Sequence, residues 1–256
     1  MKRHYLHFYV ILFMLLLPVF SVFADDNYFS KTECQIHLDY NRMPEEIDIY
    51  TATFEHFSEW KFGDNFFFLD IESEPNFRPR GNTMYFEWAP RLSIDKILNT
   101  KLIPIGFMGD VYCSAQYNDG RSFLSSKDDF IKTTKLYGIS FDFNFQPNYG
   151  FSNISIMVRD EDTQDHSWQL TFVWGQPFNI GPLQMDFMGF FDLWENDTQT
   201  IFLAEPQLRL NLSSFVGKGN FLSDSVIGTE IEVSHNFFAK EADWRVNPTI
   251  FYAFSF

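Results

Sequence analysis

Three observations predict an all-β chain, a transmembrane antiparallel β-barrel of about twelve strands. Aromatic residues make up 20% of the 256, with 33 Phe, yet beyond residue 24 no apolar run approaches the roughly 18 residues that a spanning helix needs. Apolar and polar residues alternate with a period of two in one segment after another, which gives each strand two unlike faces. The chain also stops on FYAFSF, where the end of a soluble domain would usually fray into water. Phe256, Phe254, Tyr252, Ile250, Pro248 and Val246 share one face of this last segment, and Ser255, Ala253, Phe251, Thr249, Asn247 and Arg245 share the other.

Lys2, Arg3 and His4 form a basic head, Tyr5 to Phe20 is an almost unbroken apolar run, and Val22-Phe23-Ala24 offers the small residues a signal peptidase reads. The expected division is a removable secretory signal over 1–24 and a barrel over 25–256. A retained anchor is the alternative, since the run nears the lower limit for a spanning helix; the immediate Asp25-Asp26 favours the signal. The formal net charge is −15, which argues against nucleic acid and disfavours anionic partners generally.

The strands follow in order. Ile36, Leu38 and Tyr40 alternate with Gln35, His37, Asp39 and Asn41, and a turn is expected at Met43-Pro44. Ala52, Phe54 and His56 alternate with Thr51, Thr53 and Glu55 in a weaker strand. Phe67, Leu69 and Ile71 oppose Phe66, Phe68, Asp70 and Glu72; Met84, Phe86 and Trp88 oppose Tyr85, Glu87, Ala89 and Arg91. A fifth strand is expected from about Ile103 to Tyr117, with Ile103, Ile105, Phe107, Val111 and Cys113 facing out. Asn118-Asp119-Gly120 and Ser125 to Asp129 supply turn chemistry. Tyr137, Ile139, Phe141, Phe143 and Phe145 then alternate with Gly138, Ser140, Asp142 and Asn144.

In the second half Ile154, Ile156 and Val158 oppose Ser155, Met157 and Arg159, and Trp168, Leu170, Phe172 and Trp174 oppose Gln169, Thr171 and Val173. Leu183 to Trp194 and Phe202 to Leu212 alternate likewise, and Ile227 to His235 leads to the terminal strand. Twelve strands, at roughly 19 residues for each with its connection, suit a bacterial outer-membrane barrel. A soluble β-sandwich alternates too, but it seldom spends so many Phe and Trp on one face. Cys34 and Cys113 fall on the outward face of non-neighbouring strands, so no disulfide is expected.

The same parity defines a lumen. Phe66, Phe68, Asp70, Glu72, Glu87, Arg91, Asp110, Asp142, Arg159, Asp192, Trp194, Glu205, Arg209, Glu230 and Glu232 face inward. Most of them need do no more than keep a pore wet. In combination, carboxylate rings repel anions while aromatic faces stack on flat neutral solutes. The candidate solute contacts are Phe66, Phe68, Asp70, Glu87 and Arg91, with Asp192, Trp194, Glu205, Arg209 and Glu230 as further pore lining. Glu87 and Arg91, four residues apart on one face, are expected to be able to pair. No cofactor or metal is implied: Asp160-Glu161-Asp162 reads as a solvated turn, and two cysteines without a His pair make no zinc site.

Met84 to Thr100, MYFEWAPRLSIDKILNT, resembles a segment of the nucleoside-specific channel-forming porins called Tsx, matching at Glu87, Pro90, Arg91, Ser93, Ile94, Asp95, Lys96, Asn99 and Thr100. WKFGDNFFFLDIE, FLAEPQLRLN and IGTEIEVSHNF are similar to segments of Tsx-like barrel proteins. The resemblance implies a monomeric twelve-stranded barrel in the outer membrane of a Gram-negative cell, surrounded by lipid and lipopolysaccharide, that admits nucleosides and deoxynucleosides. It also implies that the terminal Phe256 is read by the barrel-assembly machinery. Two alternatives stay open: a barrel plugged by its own side chains and serving as a receptor, and a barrel phospholipase, for which no histidine has an evident serine partner.

Overall fold

The computed structural model describes residues 28–42, 46–73, 82–122, 133–144, 150–162, 165–196, 199–217, 219–237 and 244–256. The expected signal over 1–24, the turn at Met43-Pro44, the Ser125 to Asp129 segment and Phe145 lie outside the described residues.

The strands are β1 Ser30–Arg42, β2 Ile47–Trp60, β3 Gly63–Ser73, β4 Asn82–Ser93, β5 Met108–Ser122, β6 Thr134–Phe143, β7 Phe151–Glu161, β8 Ser167–Ile180 and β9 Leu183–Asn196. The tenth, β10, is one strand in two segments, Gln199–Ala204 and Gln207–Asn211; β11 is Ser225–His235 and β12 is Trp244–Ser255. Each strand pairs antiparallel with its neighbours in sequence, and β12 returns to β1, from Glu33 opposite Ser255 to Asp39 opposite Thr249. The sheet is therefore a closed twelve-stranded antiparallel barrel without a free edge.

The registers keep every inward residue opposite another inward residue. Gln35, Thr53, Asp70 and Tyr85 form one continuous row, and Glu33, Glu55, Phe68 and Glu87 form the next. A slip of one residue would turn a row of carboxylates into lipid. The outer wall is apolar, with Ile36, Ile156, Ile227 and Ile250 all exposed. Aromatic girdles bound it. Tyr40, Tyr50, Trp168 and Trp244 ring one end, and Phe29, Trp60, Phe151 and Phe256 ring the end that carries the termini, called the terminal end below. The closing Phe256 is thus an outward girdle residue beside Phe254, ring centroids 6.1 Å apart. Cys34 and Cys113 are exposed and free.

Besides Asn118-Asp119-Gly120, which lies within β5 opposite Glu87, Phe86 and Tyr85 and not in a turn, two expectations need correction. The fifth strand begins at Met108, not near Ile103; residues Ile94–Leu98 form a short helix, α1, and the chain turns through 99–107. Ser93 accepts a hydrogen bond from the Lys96 amide at the N-cap, and Asn99 closes the helix in the left-handed conformation, φ 50. The capped helix and the turn after it take up Ile103, Ile105 and Phe107, which alternate in sequence without being strand. Second, β10 is interrupted at Glu205-Pro206, because Pro206 has no N–H for the ladder. Gly189 on β9, φ +152, makes room for the break: a Cβ there would lie 2.4 Å from the Glu205 carbonyl oxygen.

Candidate functional site

The inner wall sorts its charges by height. Near the terminal end, the Arg91 guanidinium donates to both Asp64 oxygens, Nε at 2.8 Å and Nη2 at 2.7 Å, and to Asp142 at 2.7 Å, with its plane over Tyr112. Arg209 donates to Glu33 at 2.6 Å and lies over the Phe251 ring; both charged side chains are almost fully buried, 3% and 2% exposed. Toward the other end, Arg42 reaches Glu72 on β3 at 2.7 Å, Glu232 on β11 at 2.8 Å and Asp39 at 3.4 Å. Arg159 pairs with Glu161 at 2.9 Å, donates to Gln169 at 2.6 Å and covers Trp194.

Between these clusters, at mid-strand, stand Asp70, Glu87, Asp192, Glu205 and Glu230. Their neighbours are hydroxyls and amides. Thr53 donates to Asp70 at 2.5 Å, Tyr85 to Glu87 at 3.1 Å, Thr171 to Asp192 at 2.5 Å and Gln207 to Glu230 at 2.6 Å. Among the described residues no lysine or arginine lies within 4 Å of any of the five; the nearest cation-capable group is His37, 3.8 Å from Glu230. Glu87 is in electrostatic range of Asp192 and Arg159, and Glu205 of Glu230 on the neighbouring strand and of Asp70 and Arg42. All five are half-buried, neither packed away nor fully in water.

An aromatic strip runs beside the acidic belt. Phe66 and Phe68 alternate along β3 with centroids 6.0 Å apart, and Phe68 approaches Tyr85 of β4 at 5.6 Å. The cross-strand register sets Phe68 opposite Glu87 and Asp70 opposite Tyr85, so rings and carboxylates alternate over two strands.

The ten residues singled out from sequence therefore fall into two groups. Phe66, Phe68, Asp70, Glu87, Asp192, Glu205 and Glu230 are brought together at mid-height. Arg91, Arg209 and Trp194 face inward too, but Arg91 is held by two aspartates, Arg209 is buried against Glu33, and Trp194 is 6% exposed in a cluster with Ile201 and Leu203. The expected pairing of Arg91 with Glu87 does not occur. Four residues along a strand span about 13 Å, and Asp64, directly opposite Arg91, is nearer. Sequence reading missed Arg42, whose inward parity is visible only once β1 is known to extend past Asn41 with a register shift there.

The described histidines all have neighbours of their own. His37 contacts Gln35 at 2.7 Å and stacks on Phe251; His56 contacts Thr32 on the outer wall; His235 stacks on Trp244; His166 lies 3.4 Å from Asp160.

A closed barrel with an apolar outer wall and a charged interior has the architecture of the outer-membrane β-barrels. The chain belongs to the family described as "Domain of unknown function (DUF5020)", which matches residues 31–256. Among curated proteins none matches the sequence. Among solved structures the chain is similar to the KdgM porin in complex with disordered oligogalacturonate, with a TM-score of 0.50 and 6% identity over 88% of this chain and 99% of that one. A second structure, described as the KdgM porin, gives the same figures. The translocator domain of the autotransporter NalP from Neisseria meningitidis superposes at a TM-score of 0.35, 10% identical, over 97% and 96% of the two chains. The KdgM likeness is one of fold.

Proposed function

We propose that this barrel is an outer-membrane channel selective for small solutes that are neutral or cationic and that carry a flat ring with hydroxyl groups, nucleosides and deoxynucleosides foremost. The observation that carries the reading is the mid-height belt of carboxylates without basic partners beside the Phe66, Phe68 and Tyr85 strip. Ribose hydroxyls donate to carboxyl oxygens, and a planar base stacks on aromatic faces whatever its identity. The resemblance of Met84 to Thr100 to the nucleoside-specific porins supports the same class. The KdgM porin was seen with oligogalacturonate, a polyanion; an acidic belt would repel such a chain, so the shared fold supports a channel and the belt supports a different solute.

The test is single-channel conductance of the refolded barrel in a planar bilayer, titrated with adenosine and with adenosine monophosphate. Saturable block by adenosine alone is the expected result. Equal indifference to both would make it a general pore, and absence of conductance from folded protein would make it a plugged barrel.

A further inference from the structure

The β4–β5 connection, residues 94–107, has two unlike sides. Its polar groups turn to the barrel rim and are used there: Ser93 Oγ donates to Asp110 at 2.9 Å, Lys101 Nζ lies 2.5 Å from Asp110 and 3.5 Å from Asp95, and the Leu102 amide donates to Asp95, itself only 4% exposed. Its large apolar side chains turn away: Ile97, Leu98, Leu102, Ile105 and Phe107 are 44 to 57% exposed, side by side in a 14-residue stretch. This is the reverse of what a water-washed loop does with leucine and isoleucine.

The placement of the connection says what covers that side. It starts from Leu92, the last outward residue of β4, itself exposed to lipid. Its two ends are bonded into the terminal girdle, Ser93 N–H to the carbonyl of Phe62 at 2.7 Å and Asn144 N–H to the carbonyl of Phe107 at 2.8 Å. Phe62 packs edge-on against Trp60, a girdle residue. The apolar patch is thus continuous with the lipid-facing wall and at the level of its interfacial ring. Lys96 and Lys101, both more than 40% exposed, stand at the same rim in a chain of strongly negative net charge. Apolar residues below and lysines at headgroup level are the pattern of a segment that lies in a membrane interface.

We infer that residues 94–107 are an interfacial anchor, inserted among the phospholipids of the leaflet next to the chain termini. On this view the Ser93, Asp95, Lys96 and Asn99 portion of the motif shared with the nucleoside porins builds the cap and the ion pairs that aim five apolar side chains at lipid. The inference rests on the lipid-facing outer wall and not on the proposed solute.

The test uses the barrel with Cys34→Ser and Cys113→Ser, carrying one nitroxide at Ile97→Cys, in vesicles of zwitterionic and anionic phospholipid. Reference labels go at Ile156→Cys on the lipid-facing wall and His166→Cys in a far-end turn. The expected result is greater accessibility to oxygen than to a water-soluble nickel chelate at position 97, as at 156 and opposite to 166. Preferential collision with the nickel chelate would overturn the inference. So would low accessibility to both reagents, whether from the chain folding back on itself or, if spin–spin broadening accompanies it, from a second copy. A label at Leu102→Cys repeats the reading should the label at 97 disturb α1.

Discussion

At either end of the barrel Arg91, Arg209, Arg42 and Arg159 are held in ion pairs, whereas at mid-height none of five carboxylates has a lysine or arginine within 4 Å among the described residues. The difference separates what holds the wall from what meets the solute. Arg209 with Glu33, and Arg42 with Glu72, Glu232 and Asp39, tie strands that are distant in sequence. Such buried pairs contribute little net stability when intact but are costly to break, because the survivor is left charged and unsolvated. The mid-height groups are half-buried and no lysine or arginine among the described residues touches them, so their oxygens are left to the lumen.

The largest expected effect follows from breaking a buried pair. Arg209→Met should destabilise the barrel by up to about 3–5 kcal/mol, less what Lys31, 3.0 Å from Glu33, still compensates, read as a lower urea midpoint for the refolded protein in detergent micelles. Arg209→Met with Glu33→Gln should recover a substantial part of the loss. If the single variant unfolds at the parental midpoint, the terminal-end cluster does not hold the wall.

Neutralising the belt should do the converse. Glu87→Gln, Asp70→Asn and Asp192→Asn together should leave the midpoint near that of the parent, while the preference for small cations over anions in reversal-potential measurements falls by about tenfold. Retained cation preference would place the selecting charges at the mouths.

How much of this contrast could be read in the residues is itself instructive. Alternation assigned the inward face of Asp70, Glu87, Asp192, Glu205 and Glu230, because the period of two is local and each strand carries it on its own. Pairing was not legible, since it depends on register between strands. Asp64 outcompetes Glu87 for Arg91 by lying directly across the sheet, and the partners of Arg42 come from β3 and β11. Burial was equally hidden. Trp194 reads as pore lining, yet Arg159 covers it and Ile201 and Leu203 pack beside it. The break at Glu205-Pro206 and the Ser93 cap of α1 do have local signals, a proline within a strand and a helix-capping serine, and the alternation of the neighbouring residues masked both.

A third prediction sharpens the division within the aromatic residues. Phe68→Ala should weaken the proposed adenosine block by about 1–3 kcal/mol, roughly 5- to 150-fold in the blocking constant, with little change in unfolding. Phe251→Ala should do the opposite, because Phe251 is 3% exposed and packed between His37 and Arg209. Equal effects of the two substitutions on block would erase the distinction between strip and wall.

The smallest effect is expected at the terminal rim. Lys101 contacts Asp110 and Asp95, and its hydrogen bond to Asp110 raises the ammonium pKa above its ordinary value. A folded-state pKa raised in this way stabilises the barrel at every pH below the ordinary lysine range and ceases to do so only as the solution becomes strongly alkaline. Lys101 is nevertheless half-exposed, so water and salt screen the pair. Lys101→Ala should cost under about 1 kcal/mol, with the loss unchanged between pH 6 and 9 and shrinking in high salt. A loss as large as that of Arg209→Met would mean that the rim is as desolvated as the Arg209 cluster, and that charge pairing alone, without burial, had been mistaken for what distinguishes the ends of the barrel from its middle.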